Sequence, residues 1–216
     1  MRALSLLETR VVGTLAEKER TVPDTYPLSL NALVAGCNQK TSRNPVMEAT
    51  ESEVQAAIDS LKSLNLVMES SGGRVARYSH NLERVLQVPS QSAALLTALM
   101  LRGPQTGGEL RIATERMHRF ADISAVQGFL QELAGRSLVA ELPRLPGARE
   151  NRWAHTLSGI PVEESETAVK SGGADVSLGE LAALKANVAR LEAELESLKT
   201  LVLRVCSEIG LPPEQK

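Results

Sequence analysis

The sequence predicts a mainly α-helical chain with small β wings, an α+β fold, on three observations. Helix-period apolar stripes come in groups of three. Each third stripe runs into a short strand–turn–strand. The whole order occurs twice before a heptad series opens at Leu181. The 216 residues allow one or two domains. The aromatic residues are Tyr26, Tyr78, Phe120, Phe129 and Trp153, so the core must be aliphatic and base-stacking platforms are nearly excluded.

In the first half, Ser5 and Glu8 have capping-box spacing, and Leu7, Val11 and Leu15 mark the buried face of a helix ending near Lys18–Arg20. Pro23 and Pro27 bracket a loop. Ser29 caps a second helix with Leu30, Leu33, Val34 and Cys37 on its stripe. The polar run Asn38–Asn44, closed by Pro45, cannot extend that stripe and is expected to be a surface connection. Thr50 and Glu53 form another capping box, opening a helix with Val54, Ile58, Leu61 and Leu64 on one face. Leu66–Glu69 is predicted as a strand, Ser71-Gly72-Gly73 as the turn and Val75–Tyr78 as the return strand. Three helices and a hairpin in this order describe a winged helix.

Asn81–Val88 is expected to form a short connecting helix (Leu82, Val85, Leu86) ended by Pro89. The pattern then repeats. Ala94, Leu95, Ala98 and Leu101 mark a helix stopped by Gly103-Pro104. Thr106 and Glu109 box the next, through Leu110 and Ile112. Asp122 caps a third, with Val126, Phe129, Leu130 and Leu133, which Gly135 ends. Leu138–Leu142, a long turn over Pro143–Glu150 and Asn151–Thr156 supply the second hairpin. Leu61-x-x-Leu64-x-Leu66-Val67 compares with Leu130-x-x-Leu133 followed by Leu138-Val139, which predicts a tandem repeat of one fold.

Gly159–Gly173 is polar, acidic and Gly-bearing, as a linker would be. Leu181, Leu184, Val188, Leu191, Leu195, Leu198, Val202, Val205 and Ile209 then alternate spacings of 3 and 4 across four heptads. With Leu181 at position a, the β-branched Val188, Val202 and Ile209 fall at a and Leu184, Leu191 and Leu198 at d, which favours a parallel two-stranded coil. In that pairing Glu180 faces Lys185 of the second chain and Glu194 faces Lys199. The helix folding back on its own chain is the alternative. The expected organisation is a first winged-helix domain (1–80), a connecting helix (81–88), a second winged-helix domain (89–158), an acidic linker (159–177), a coiled-coil helix for homodimerisation (178–210) and a tail (211–216).

Chemistry is less legible. Net charge is −2; residues 1–156 hold 18 Lys and Arg against 16 Asp and Glu, far from the strongly basic footprint of a committed nucleic-acid binder. No apolar run reaches the roughly 20 residues that span a bilayer. MRALSLLETR has no cleavage-like site, so neither a signal peptide nor membrane attachment is expected. Two distant cysteines, Cys37 and Cys206, make no disulfide framework; a cytoplasmic setting follows. His80, His118 and His155 lack metal-site spacing and are expected to be surface or satisfied residues. No catalytic constellation or cofactor motif can be assembled, so a non-enzyme is expected.

A winged helix suggests duplex DNA, with its third helix in the major groove and its wing on the backbone. The first half's third helix exposes Glu51, Glu53 and Asp59 against Lys62, which argues against ordinary docking. The candidate phosphate contacts are Lys40, Arg43 and Asn44 on the turn, Lys62 on the helix, Arg74 and Arg77 on the first wing, and Arg149 and Arg152 on the second. Near-neutral charge and the acidic third helix favour a protein–protein adaptor, whereas a parallel dimer favours DNA, because two-fold symmetry suits paired half-sites.

The segments LSLNALVAGCNQKTSRNPVM (Leu28–Met47), LSLLETRVVGTLAEKE (Leu4–Glu19) and LKSLNLV (Leu61–Val67) resemble the YceH-like family of bacterial proteins over residues 4 to about 157. The resemblance implies two winged helices in tandem and a bacterial cytoplasmic setting. It implies no activity.

Overall fold

A computed structural model describes residues 2–70, 75–144 and 150–159, all within a compact unit spanning Met1–Val162. The heptad residues Leu181 to Val205, the linker after Gly159, the Gly72-Gly73 turn, Arg74 and Arg149 lie outside the described residues.

The architecture is α+β, with seven α-helices and two small antiparallel sheets among the described residues. α1 (Leu6–Thr21) starts on the Ser5–Glu8 capping box. A 3₁₀ turn, Pro23–Thr25, leads to β1 (Leu28–Ser29), which feeds α2 (Leu30–Cys37) with Ser29 as its N-cap. α3 (Glu51–Ser63) opens on the Thr50–Glu53 box and is followed by β2 (Val67–Ser70) and β3 (Arg77–His80). α4 (Leu82–Leu86) ends where Gln87 adopts φ 51°; Pro89 is then the N-cap of α5 (Ser90–Arg102). β4 (Gln105–Thr106), α6 (Gly107–Ala113), α7 (Ile123–Gly135), β5 (Val139–Leu142) and β6 (Arg152–His155) complete the unit.

The sheets have the orders β1-β3-β2 and β4-β6-β5, so the last strand of each half is central. β1 and β4 are two residues long, below what alternation can reveal, and were not expected. Leu28 pairs with Tyr78, and Gln105 with Trp153. Each half therefore reads helix, short strand, helix, helix, hairpin, an order compatible with a winged helix.

The register of the internal repeat needs correcting. Leu66 donates to the Leu61 carbonyl (3.0 Å), and Leu138 to that of Leu133 (2.9 Å). Leu133 therefore answers to Leu61, not to Leu64, and Val54, Ile58 and Leu61 answer to Val126, Leu130 and Leu133. α7 ends at Gly135 as expected, but Gly135 itself is still helical and the chain reverses two residues later. The reversal is made by Ser137 at φ 56°, as Asn65 at φ 57° makes it after α3.

The core is aliphatic and continuous through both halves. Nine consecutive residues of α1, Glu8–Ala16, and ten of α5, Ser92–Leu101, are buried, so these helices are the centre of the unit. Gly13 permits their approach: a Cβ there would lie 3.0 Å from Leu101 Cδ2. A fully buried Leu, such as Leu15, Leu95 or Leu99, contributes about 1.5–3 kcal/mol.

Candidate nucleic-acid interface

The polar run Asn38–Asn44 is a surface connection, with Lys40, Thr41, Ser42 and Asn44 exposed, but it sends one side chain, Arg43, inward. Asn38 closes the turn on itself: its Nδ2 donates to the Ala49 carbonyl (2.8 Å), and its Oδ1 accepts from the Ala49 amide (2.8 Å). Arg43, expected on phosphate, has a side chain with no exposed surface. Its Nε donates to the Gly36 carbonyl (3.1 Å). Nη1 donates to Glu17 Oε1 (3.2 Å) and the Ser42 carbonyl (3.0 Å), and Nη2 to Glu17 Oε2 (2.6 Å) and Gln39 Oε1 (2.8 Å). All five guanidinium N–H groups are engaged, so Arg43 has no donor for a ligand. The alternation of polar residues there satisfies backbone carbonyls that the turn would otherwise bury unpaired.

Arg10 reinforces the same turn from α1, donating to the Cys37 carbonyl (3.1 Å) and the Pro45 carbonyl (2.7 Å), while its buried Nε lacks a partner among the described residues. Burial, and then the nearby Arg43 charge, lower the Arg10 pKa. Burial pushes the Glu17 carboxyl up, but the hydrogen bonds and charge of Arg43, with Lys18 behind them, hold it below the usual carboxylate range. Cys37 is fully buried with its Sγ 3.7 Å from Thr14 Oγ1; burial raises its thiol, against the Thr14 hydrogen bond and the two arginines. Arg10 and Glu17 were missed by the sequence reading. The available signal was Arg10 one turn after Leu7, on the edge of an apolar stripe.

The other candidates scatter. Lys40 is exposed and has no ion pair among the described residues. Asn44 is exposed, and its backbone amide donates to the Leu101 carbonyl (2.8 Å), fastening the turn to α5. Arg102 donates to Ser42 Oγ (3.0 Å) at the same seam. Lys62 is ion-paired with Glu69, so its charge is already met. Arg77 is exposed but its Nη1 donates to the Pro27 carbonyl (2.8 Å). Arg152 is half-buried, with its Nε enclosed and unpartnered among the described residues. The expected acidic face of α3 is present: Glu51, Glu53 and Asp59 are all exposed.

The histidines divide. His80 Nδ1 accepts from the Leu82 amide (3.2 Å), which leaves Nε2 to donate to Glu19 Oε2 (2.9 Å). His118 lies edge-on to Phe120, with ring centres 4.7 Å apart. His155 is neither a surface nor a satisfied residue, because its Nδ1 is buried without a partner among the described residues. Burial drives its pKa down to about 4. Among the described residues no group of three or more His, Cys, Asp or Glu is gathered as a metal ion would require, and no helix is long and apolar enough to cross a membrane.

The second half presents a different surface. α6 and the connection into α7 expose Arg111, Arg116 and Arg119, which the sequence reading did not single out. Arg111 donates to the Ala121 carbonyl (3.2 Å), which sets it beside the start of α7. Between α7 and the β5–β6 hairpin is an open cleft of about 410 Å³. Gln127 and Gln131 line it from α7, and Glu141, Arg144, Asn151 and Trp153 from the hairpin side.

The comparisons with known proteins agree with one another. A family described as "Protein of unknown function, DUF480" matches residues 4–148. A UPF0502 protein of Dechloromonas aromatica is 61% identical over 203 residues, covering 93% of this chain and 94% of the relative. One of Methylibium petroleiphilum is 60% identical over 216 residues, covering 98% and 92%. One of Burkholderia lata is 57% identical over 214 residues, covering 98% and 91%. The YceH-like resemblance is consistent with these matches, and the chain belongs to the DUF480 (UPF0502) family of bacterial proteins.

Proposed function

We propose that this protein binds duplex DNA as a regulator-like, non-catalytic protein built from two winged-helix units, and that it self-associates through the heptad residues Leu181, Leu184, Val188, Leu191, Leu195, Leu198, Val202 and Val205. The observation that carries the reading is the second half. A helix with exposed hydrogen-bonding side chains lies beside a hairpin, and Arg111, Arg116 and Arg119 stand on the approach to that helix. Arginines in that position meet phosphates, and the helix and hairpin present themselves to a groove. A symmetric pair of such chains suits paired half-sites.

With Arg43 engaged inside the protein and Lys62 paired with Glu69 at the surface, the phosphate-binding charge shifts toward the second half, with Lys40 and Arg77 remaining in the first. The test is a fluorescence-anisotropy titration of a labelled random duplex at low and moderate salt. Steeply salt-dependent binding supports the reading. No binding at low salt, where non-specific attraction is strongest, rejects it.

A protein-binding adaptor is the second reading, favoured by the first half. Met68 and Val75 are exposed on its hairpin, next to an α3 face whose carboxylates would repel phosphate. Pull-down of a protein partner by a chain that ignores duplex DNA would establish it instead.

A further inference from the structure

We propose that base-edge recognition belongs to the second half alone: Gln127 and Gln131 of α7 read adenine-bearing edges in the major groove, and α3 stays outside it. The inference rests on the duplex-binding reading above and narrows it to one helix and one kind of edge.

α3 and α7 are equivalent helices of 13 residues, each with a side-chain N-cap and each leading through a left-handed residue into the hairpin. Gln127 stands where Gln55 stands in α3, Gln131 where Asp59 stands, and Gly128 where Ala56 stands. Their surroundings and chemistry differ. On α3, Gln55 Nε2 donates to Asp59 Oδ1 (3.0 Å), and its Oε1 accepts from the Tyr78 hydroxyl (3.3 Å). Both ends of that amide are taken. Glu51 and Glu53 are exposed on the first turn beside it. This face would set carboxylates against phosphates.

On α7, Gln127 and Gln131 are exposed one turn apart, on the same side of the helix. Neither amide makes a hydrogen bond within the described residues. Aspartate is absent at the second position. Trp153 replaces Tyr78 in the sheet, so no phenol oxygen holds Gln127. A Cβ added at Gly128 would meet nothing within 4 Å, so the helix backbone is bare beside the two amides and allows close approach. The helix holds one acid, Glu132.

A primary amide offers one donor and one acceptor side by side. Adenine presents N7 as acceptor and N6 as donor in the major groove, the complementary pair. The hairpin side of the cleft adds Asn151, whose Nδ2 donates to Glu141 Oε1 (3.0 Å), and Arg144 at the rim. Glu141 and Glu150 also line it, so phosphate is disfavoured inside the cleft, whereas base amino groups can donate to a carboxylate there.

The test uses the full chain and a randomised duplex pool. The enriched site is recovered, and anisotropy then gives the affinity ratio between that site and a scrambled duplex. Three proteins are compared: the unaltered chain, Gln127→Ala with Gln131→Ala, and Gln55→Ala with Asp59→Ala. The expected result is an enriched site with adenine at one or two fixed positions. The α7 variant lowers the ratio by roughly tenfold or more, with scrambled-duplex affinity within about twofold. The α3 variant leaves the ratio unchanged. An α7 variant that keeps the ratio, an α3 variant that loses it, or an unaltered chain that binds all duplexes equally overturns the inference while duplex binding stands. Absence of binding to any duplex removes both readings. Asp59, Gln127 and Gln131 are exposed and Gln55 is half-buried against the Tyr78 hydroxyl, so unchanged melting curves are required to establish that the variants are folded.

Discussion

Arg43→Ala separates an architectural arginine from a phosphate contact. The substitution removes five hydrogen bonds and leaves the Glu17 carboxylate, whose side chain is 17% exposed, with only Lys18 Nζ, 3.6 Å away, as counter-charge. It also leaves the Gly36 carbonyl without its donor and Gln39 Oε1 with only Lys18 Nζ at 3.4 Å. Breaking a buried ion pair by deleting one partner costs about 3–5 kcal/mol. For a folded unit of this size, each kcal/mol lowers the melting temperature by about 2–4 °C, so a fall of roughly 10 °C is expected. Arg43→Lys recovers less than half of it, because an ammonium cannot span Glu17 and two carbonyls as a planar fork does. Lys40→Ala, three residues away and exposed, stays within about 0.5 kcal/mol. The assay is urea or thermal unfolding followed by circular dichroism, with duplex binding measured below the melting range. The reasoning fails if Arg43→Ala melts within about 1 kcal/mol of the unaltered chain and at the same time flattens the salt dependence of duplex binding. That pair of results would place the guanidinium in solvent.

Three further outcomes follow from the packing and the titration. His155 is held neutral with a folded pKa of about 4, below the 6.5 of the free side chain, so the unfolded chain binds the extra proton. Stability is therefore full above about pH 6.5 and falls as pH drops toward 4, by about 3 kcal/mol. His155→Gln should flatten the unfolding free energy across that window; equal slopes in both proteins would remove His155 as the cause. At Gly36 a Cβ would come within 2.6 Å of Thr14 Cγ2, so Gly36→Ala should cost about 1–3 kcal/mol, and Thr14→Ser, which deletes that methyl, should restore most of it. Additive losses in the double variant would contradict the contact. Gly13→Ala presses α1 against Leu101 and Met100 of α5, and a similar loss is expected in chemical unfolding.

Helix caps were the most legible part of the chain, because a capping box pairs two side chains three residues apart with amides of the same turn. Ser5, Ser29, Thr50, Thr106 and Asp122 all cap the helices that the sequence assigned to them. The short strands β1 and β4 were not legible, since two residues carry no period and their pairing with β3 and β6 is a tertiary event. The repeat was visible but slipped by one turn, because leucines recur at i and i+3 in both third helices and either register matches the apolar pattern. Arg43 shows the limit most plainly. A basic residue in a polar run looks solvent-facing, and nothing local reveals that Glu17, more than twenty residues earlier, waits on α1 to bury it. Conversely, Arg111, Arg116 and Arg119 are spread through an ordinary-looking connection, and only the fold sets Arg111 beside the start of α7.

The most direct test of duplex binding by the second half is the salt slope of the full chain beside that of a chain carrying Arg111→Gln, Arg116→Gln and Arg119→Gln. Each arginine that no longer neutralises a phosphate should reduce the slope of log affinity against log salt by about 0.9. The account predicts a slope flatter by roughly two to three, with binding weakened alike on all duplexes. Equal slopes for the two proteins would contradict it, since duplex binding, if any, would then lie elsewhere on the molecule.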